Sequence, residues 1–189
     1  ELISRHAGWI EQHQEKQQQR NPEIALPQMV SLAFDQSQTE VLYQSSVRQA
    51  RFNRQHQLCI TDVDYQLSVD QLRQWIRLMA WRQLPPMLER ISRQTGLDYR
   101  KVSIRSQKSR WGSCSSRGTI SLNDQLMFVP ADTAEYLMIH ELCHRRHLNH
   151  STRFWHLVEQ KCPDFRNHEA VLDRAKSSVP DWFLRDLYR

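Results

Sequence analysis

His140-Glu141-Leu142-Cys143-His144, with His150 six residues further on, is the most informative stretch of this chain. Residues four apart lie one above the other on a helix, so the imidazoles of His140 and His144 face the same way and can converge on one metal ion. Zinc is the ion expected for such a pair. A glutamate beside the first histidine stands where it can take a proton from a metal-bound water, whose pKa the ion lowers to about 7. Hydrolysis with Glu141 as the base is the predicted chemistry. Two histidines on a helix face and a solvated glutamate would be the plain alternative. Against it, five of the chain's nine histidines, His140, His144, His147, His150 and His156, fall within 140–156.

The steps from His140 to His144 and from His144 to His150 match a zinc-ligand spacing in which a glycine turns the chain after the second ligand. His147 occupies that glycine's position here. The turn is therefore expected later, at Asn149, a residue type that tolerates left-handed backbone. His150 is the expected third ligand, with His147, Glu159, Glu169 and His156 as alternatives. A group must also stabilise the oxyanion. Arg110, Tyr136 and His147 are the candidates, and the sequence does not choose among them.

A chain of 189 residues can hold one domain with a real core, or a domain with a small subdomain. We expect residues 1–66 to form an N-terminal helix with a small β-sheet subdomain, and residues 67–189 to form the metal-binding catalytic region of one compact unit. The chain begins with Glu1 rather than Met, so its start is expected to be incomplete. Cys59, Cys114, Cys143 and Cys162 form no C-x-x-C pair and read as free thiols of a reducing, cytoplasmic setting. No apolar run approaches membrane-spanning length. Lys and Arg number 26 against 21 Asp and Glu, a net charge of +5. That permits an acidic partner without demanding one. The densest basic cluster runs from Arg100 to Arg117; nucleic acid is a conceivable partner for it, but a solvated basic face explains it more simply.

Short apolar runs at Met29–Phe34, Val41–Tyr43 and Leu58–Ile60 predict strands of a small antiparallel sheet. Ser68-Val69-Asp70-Gln71 has the form of a capping box. It is expected to open a long helix with Leu72, Trp75, Ile76, Met79 and Leu88 inward, interrupted or kinked at Pro85-Pro86 and closed near Gly96. Strands follow at Lys101–Arg105 and Thr119–Leu122. Gly112 and Gly118, two of only four glycines, shape the turn between them. Asp132-Thr133-Ala134-Glu135 reads as a second capping box, starting the helix that carries His140. Ser151 caps a helix over Thr152–Lys161, and a last helix runs over 164–177.

Lys108-Ser109-Arg110-Trp111-Gly112-Ser113-Cys114, Ile120-Ser121-Leu122-Asn123, the HELCH helix, and Asn149-His150-Ser151 before Phe154-Trp155 occur in that order. Together they resemble the YgjP-like family of predicted zinc metallopeptidases, relatives of the SprT-like proteases. The resemblance spans about Ile3 to Phe183 and is densest between Lys108 and Pro163. It implies an α+β, zincin-like metallopeptidase domain whose active-site helix carries HExxH. By it, His140, His144 and His150 hold one Zn²⁺ per chain and Glu141 is the catalytic glutamate. The family's strand pair before the first helix is missing here, which agrees with an incomplete start. A peptide or protein substrate follows, and we expect it to add a strand to an edge formed by Thr119–Asn123, through Ile120, Ser121, Leu122 and Asn123. The alternative reading is a metal-stabilised module that binds nucleic acid or protein without hydrolysis. Glu141 argues against it, since a structural zinc site needs no proton-handling carboxylate.

Overall fold

A computed structural model describes residues 25–184. The helix expected over Ser4–Arg20 lies outside them. The described residues open with β1 (Met29–Leu32) and β2 (Ser37–Tyr43), an antiparallel pair. β3 (Arg51–Phe52) and β4 (Leu58–Ile60) complete a four-stranded sheet in the order β1-β2-β4-β3. A second sheet, of β5 (Lys101–Arg105), β6 (Gly112–Cys114) and β7 (Thr119–Asn123), has the order β5-β7-β6.

The first sheet is antiparallel at β1–β2 and β3–β4, as expected, but each sheet also contains one parallel pair. β2 pairs with β4 in parallel and β5 with β7 in parallel. In each case the intervening strand lies outside the pair, so the two flanking strands meet side by side and run the same way. Two strands escaped the sequence reading, β3 because it is two residues long and β6 because Gly112 lies inside it and mimics a turn. Thr119–Asn123 is therefore a central strand, bonded on both sides, and offers no edge to a peptide.

The helix α1 (Tyr65–Thr95) spans 31 residues and passes through Pro85 and Pro86. Its N-cap is Asp64, whose carboxylate accepts from the Leu67 N–H at 2.9 Å, not the expected Ser68. Ser68 and Gln71 are buried instead. The Ser68 hydroxyl donates to the Thr61 carbonyl at 2.7 Å, and the Gln71 carboxamide accepts from the Thr61 N–H at 2.9 Å. The pattern of a cap thus serves to tie the loop after β4 to the helix. Gly96, at φ 68°, closes α1 as expected by donating to the Ser92 carbonyl.

A 3₁₀ turn at Asp124–Phe128 leads from β7 into α2 (Ala131–Cys143), the helix of the HELCH stretch. It starts one residue before the expected capping box, and Asp132 bonds only its neighbour Thr133. α3 (Thr152–Lys161) has the predicted bounds, though the Ser151 hydroxyl makes no capping bond. α4 (Phe165–Arg174), a 3₁₀ turn and α5 (Asp181–Leu184) finish the described chain. α2 is buried almost all round, from Ala134 and Met138 to Leu142 and Cys143. One continuous apolar cluster runs from Val30 and Leu32 through Leu72, Leu88 and Ile120 to Phe183, so both sheets and α2 share one core. This rigid seat fixes the histidines.

Candidate metal centre

The Nε2 atoms of His140 and His150 lie 3.1 Å apart. One ring nitrogen from each of His140, His144 and His150 falls within 4.8 Å of the other two. Two ligands each about 2.1 Å from a tetrahedral ion stand roughly 3.4 Å apart, so three imidazoles at this spacing fit a metal ion. Glu159, Glu169, His147 and His156 stay outside the group. His156 faces Gln160 along its own helix, 3.1 Å away.

Two devices aim the rings. The Nδ1 of His144 lies 3.0 Å from the His147 carbonyl, a contact that leaves Nε2 free to ligate. His147 thus contributes its backbone and not its imidazole. Phe154, wholly buried, lies under all three rings, with centroids 4.9 Å from His140, 4.5 Å from His144 and 4.8 Å from His150. Trp155 stacks on His150 at 5.6 Å. The chain reverses between His144 and His150 without the left-handed residue expected at Asn149. Among the described non-glycine residues only Gln36 and His56 have positive φ. The helix end tightens instead, with Arg145 N–H donating to Leu142 and Arg146 N–H to Cys143.

Burial pushes the His140 imidazolium down to about 3, and the charges of His144 and His150 act the same way. His144 is lowered by burial as well. Both rings are therefore neutral at neutral pH, the form a metal requires. Burial lifts the Glu141 carboxyl to about 8, while the charge of Arg110 and the Cys114 N–H pull it down. A carboxyl poised there is matched to proton transfer near neutral pH.

Glu141 lies directly on β6. A Cβ at Gly112 would stand 3.0 Å from Glu141 Oε1 and 3.1 Å from its Cγ. Gly112 is therefore needed for close approach and not for a turn, a role its place in the sequence could not reveal. Gly118 does serve the turn, at φ 83°. A cavity of about 370 Å³ over the site is lined by Arg110, Gly112, Ser113, Cys114, Leu148, Glu141 and the three histidines. Of the oxyanion candidates only Arg110 lines it. Tyr136 is buried behind the site, stacked on His168 at 6.1 Å and edge-on to His140. Ile120 and Leu122 are core residues, Ser121 bonds Ser103 across the sheet at 3.0 Å, and Asn123 is buried. None of the four lines the cavity.

No described helix is long and apolar enough to cross a membrane. The basic stretch Arg100–Arg117 spreads over β5, a loop and the turn before β7, and neither fold nor comparison supports nucleic acid as its partner. No curated protein matches the sequence. Among solved structures, the metallopeptidase zymogen of Pyrococcus abyssi abylysin superposes with a TM-score of 0.45 and 27% identity, over 51% of this chain and 95% of that one. The metallopeptidase zymogen of Methanocaldococcus jannaschii jannalysin gives 0.40 and 17%, over 49% and 96%. A family match is far more extensive, running over residues 1–175 and taking in β6, the HELCH helix and His150, and by it the chain belongs to the YgjP-like family, metallopeptidase domain.

Proposed function

We propose that this metallopeptidase is a zinc enzyme in which His140, His144 and His150 hold the ion and Glu141 is the general base. The convergence of three imidazoles beside the buried carboxyl of Glu141, next to His140 on the same helix, carries the reading. Three nitrogen donors without a carboxylate suit zinc better than magnesium or calcium. When bound, the ion would supply Lewis acidity, acidifying a water and polarising the scissile carbonyl. Glu141 takes the proton of the attacking water and returns it to the leaving amine. Arg110, the one Lys or Arg lining the cavity, stabilises the negative charge that develops on the carbonyl oxygen in this reading.

β6 is the strand best suited to receive an extended peptide. Trp111 and Ser115 bond back to β7 through Asn123 N–H and Thr119 O, at 2.8 and 2.9 Å. By the alternation of an antiparallel pair, Gly112 and Cys114 then turn their backbone groups outward. The Cys114 N–H already serves Glu141, which leaves the Gly112 groups and the Cys114 carbonyl for a substrate backbone. The peptide would lie beside the base and under Arg110.

Glu141→Gln tests the reading. With unfolded casein as substrate, the variant should keep one zinc per chain and lose about 10²–10⁴ in rate. Equal rates for the two proteins would remove Glu141 from the mechanism.

A further inference from the structure

The loop Ser106–Arg110, between β5 and β6, is largely exposed and carries few apolar side chains. Such a segment ordinarily sits at the low end of local stability. Here it is bound from beneath by three consecutive buried residues at the exit of β7. The Asn123 carboxamide donates to the Gln107 carbonyl at 2.8 Å and to the Arg110 carbonyl at 2.7 Å. Gln125 adds a second donor to Gln107 at 3.1 Å, and the Ser106 hydroxyl bonds Asp124. The Asn123 oxygen accepts from the Gln125 N–H at 3.1 Å. Both donors and the acceptor of this amide are thus engaged, and Asn123 is only 1% exposed.

Two features make this more than a tidy loop. First, the amide is the one side-chain type that can hold two carbonyls while accepting a third bond; a carboxylate of the same shape would face both carbonyls with lone pairs. Second, one of the two carbonyls belongs to Arg110 itself, which lines the metal cavity and whose charge acts on Glu141. The reach of an arginine side chain is set both by its own rotamers and by where its backbone stands, and the second is what a bond to its carbonyl fixes. Buried hydrogen bonds to the carbonyl give it a fixed origin.

We propose that Asn123 is a positioning residue of the peptidase, which acts on the reaction by holding Arg110 at the metal cavity. The inference rests on the function proposed above for its effect on rate, but the clamp itself does not. Asn123 touches neither substrate nor metal, and its influence passes through one loop. This replaces the substrate-strand role that its sequence position had suggested.

Two measurements test it. Trypsin nicking reads the clamp directly, because Lys108 and Arg110 lie in the loop. In a zinc-loaded Glu141→Gln background, Asn123→Ser should speed cleavage after Lys108 about tenfold while sites elsewhere in 25–184 keep their rates. A double-mutant cycle on casein hydrolysis reads the route. Asn123→Ser alone should lower kcat about 10–100-fold with zinc content unchanged, the loss usual for a supporting shell. Placed on Arg110→Ala, it should cost less than about twofold more. Unchanged nicking overturns the clamp. The same fold-loss with and without Arg110 overturns the route, since a merely structural residue would cost equally in both. If casein hydrolysis survives Glu141→Gln, the catalytic reading has failed while the nicking result still stands. Asn123→Asp, which keeps the shape and the bond from Gln125, repeats both measurements should the serine variant not fold. If neither folds, Asn123 is a core residue and the proposal is wrong.

Discussion

The two sheets are built alike and do different work. Each is short and mixed, with one parallel pair and an edge strand of two or three residues. In the first sheet the edge is β3, whose Phe52 is half exposed and lies edge-on to Trp75 of α1 at 6.4 Å. In the second the edge is β6, whose Gly112 has no side chain and lies against Glu141 of α2. The first sheet also borders a cavity. It measures about 550 Å³, between β1, β2 and the segment around Pro180, and no titratable side chain lines it. The metal cavity is smaller and holds the charged groups. The titratable groups thus gather where the edge strand lacks a side chain and meets the histidine-bearing helix, not at the roomier hollow.

The comparison can be broken at several points. Phe154→Ala, which empties the space beneath the three imidazoles, should cost about 3–5 kcal/mol in thermal or denaturant unfolding. It should also weaken zinc binding, measured by competition with a chelator. Intact zinc affinity would mean that the rings are held without their aromatic floor. Gly112→Ala should leave zinc in place, yet lower casein hydrolysis on the order of 10²-fold by displacing Glu141, as misplacement of a reacting group by about 1 Å does. A rate near that of the native chain would show that Glu141 can yield.

The buried carboxyl gives a third prediction, for the metal-free protein. Because the folded state raises Glu141 from 4.5 to about 8, its contribution to stability is whole below about pH 4.5 and is lost as the pH rises toward 8. Glu141→Gln should therefore gain on the native chain across that window, by up to about 1.4 kcal/mol per pH unit. Unfolding curves at pH 5 and 8 with the same difference between the two proteins would sink the idea. Smallest of all, Phe52→Ala at the other edge should cost about 1 kcal/mol of stability and leave casein hydrolysis as it was. A loss of rate there would tie the first sheet to the site.

Much of the site was legible in the chain itself. A four-residue step on a helix places His140 and His144 together whatever surrounds them, and the glutamate next to the first histidine comes with it. The bounds of α3 and the closure of α1 at Gly96 followed equally local rules. Misreadings arose where a local signal had more than one use. Ser68 and Gln71 satisfy a capping pattern but serve the Thr61 backbone. Gly112 marks a turn in most sequences, and here marks a contact with a side chain 29 positions away. Asn149 permits a left-handed turn, and the helix end made one unnecessary.

What the sequence determined by itself is the helix that carries His140, Glu141 and His144 on one side, because that depends on spacing along one element and on the chemistry of the side chains. The order of strands was decided only in three dimensions. Pairing depends on which segments the shared core brings side by side, and alternation within Thr119–Asn123 looks the same in a central strand as at an edge. So it was the tertiary structure that placed β6 beside Glu141, set Phe154 beneath the imidazoles and turned Asn123 from the substrate to the loop that carries Arg110.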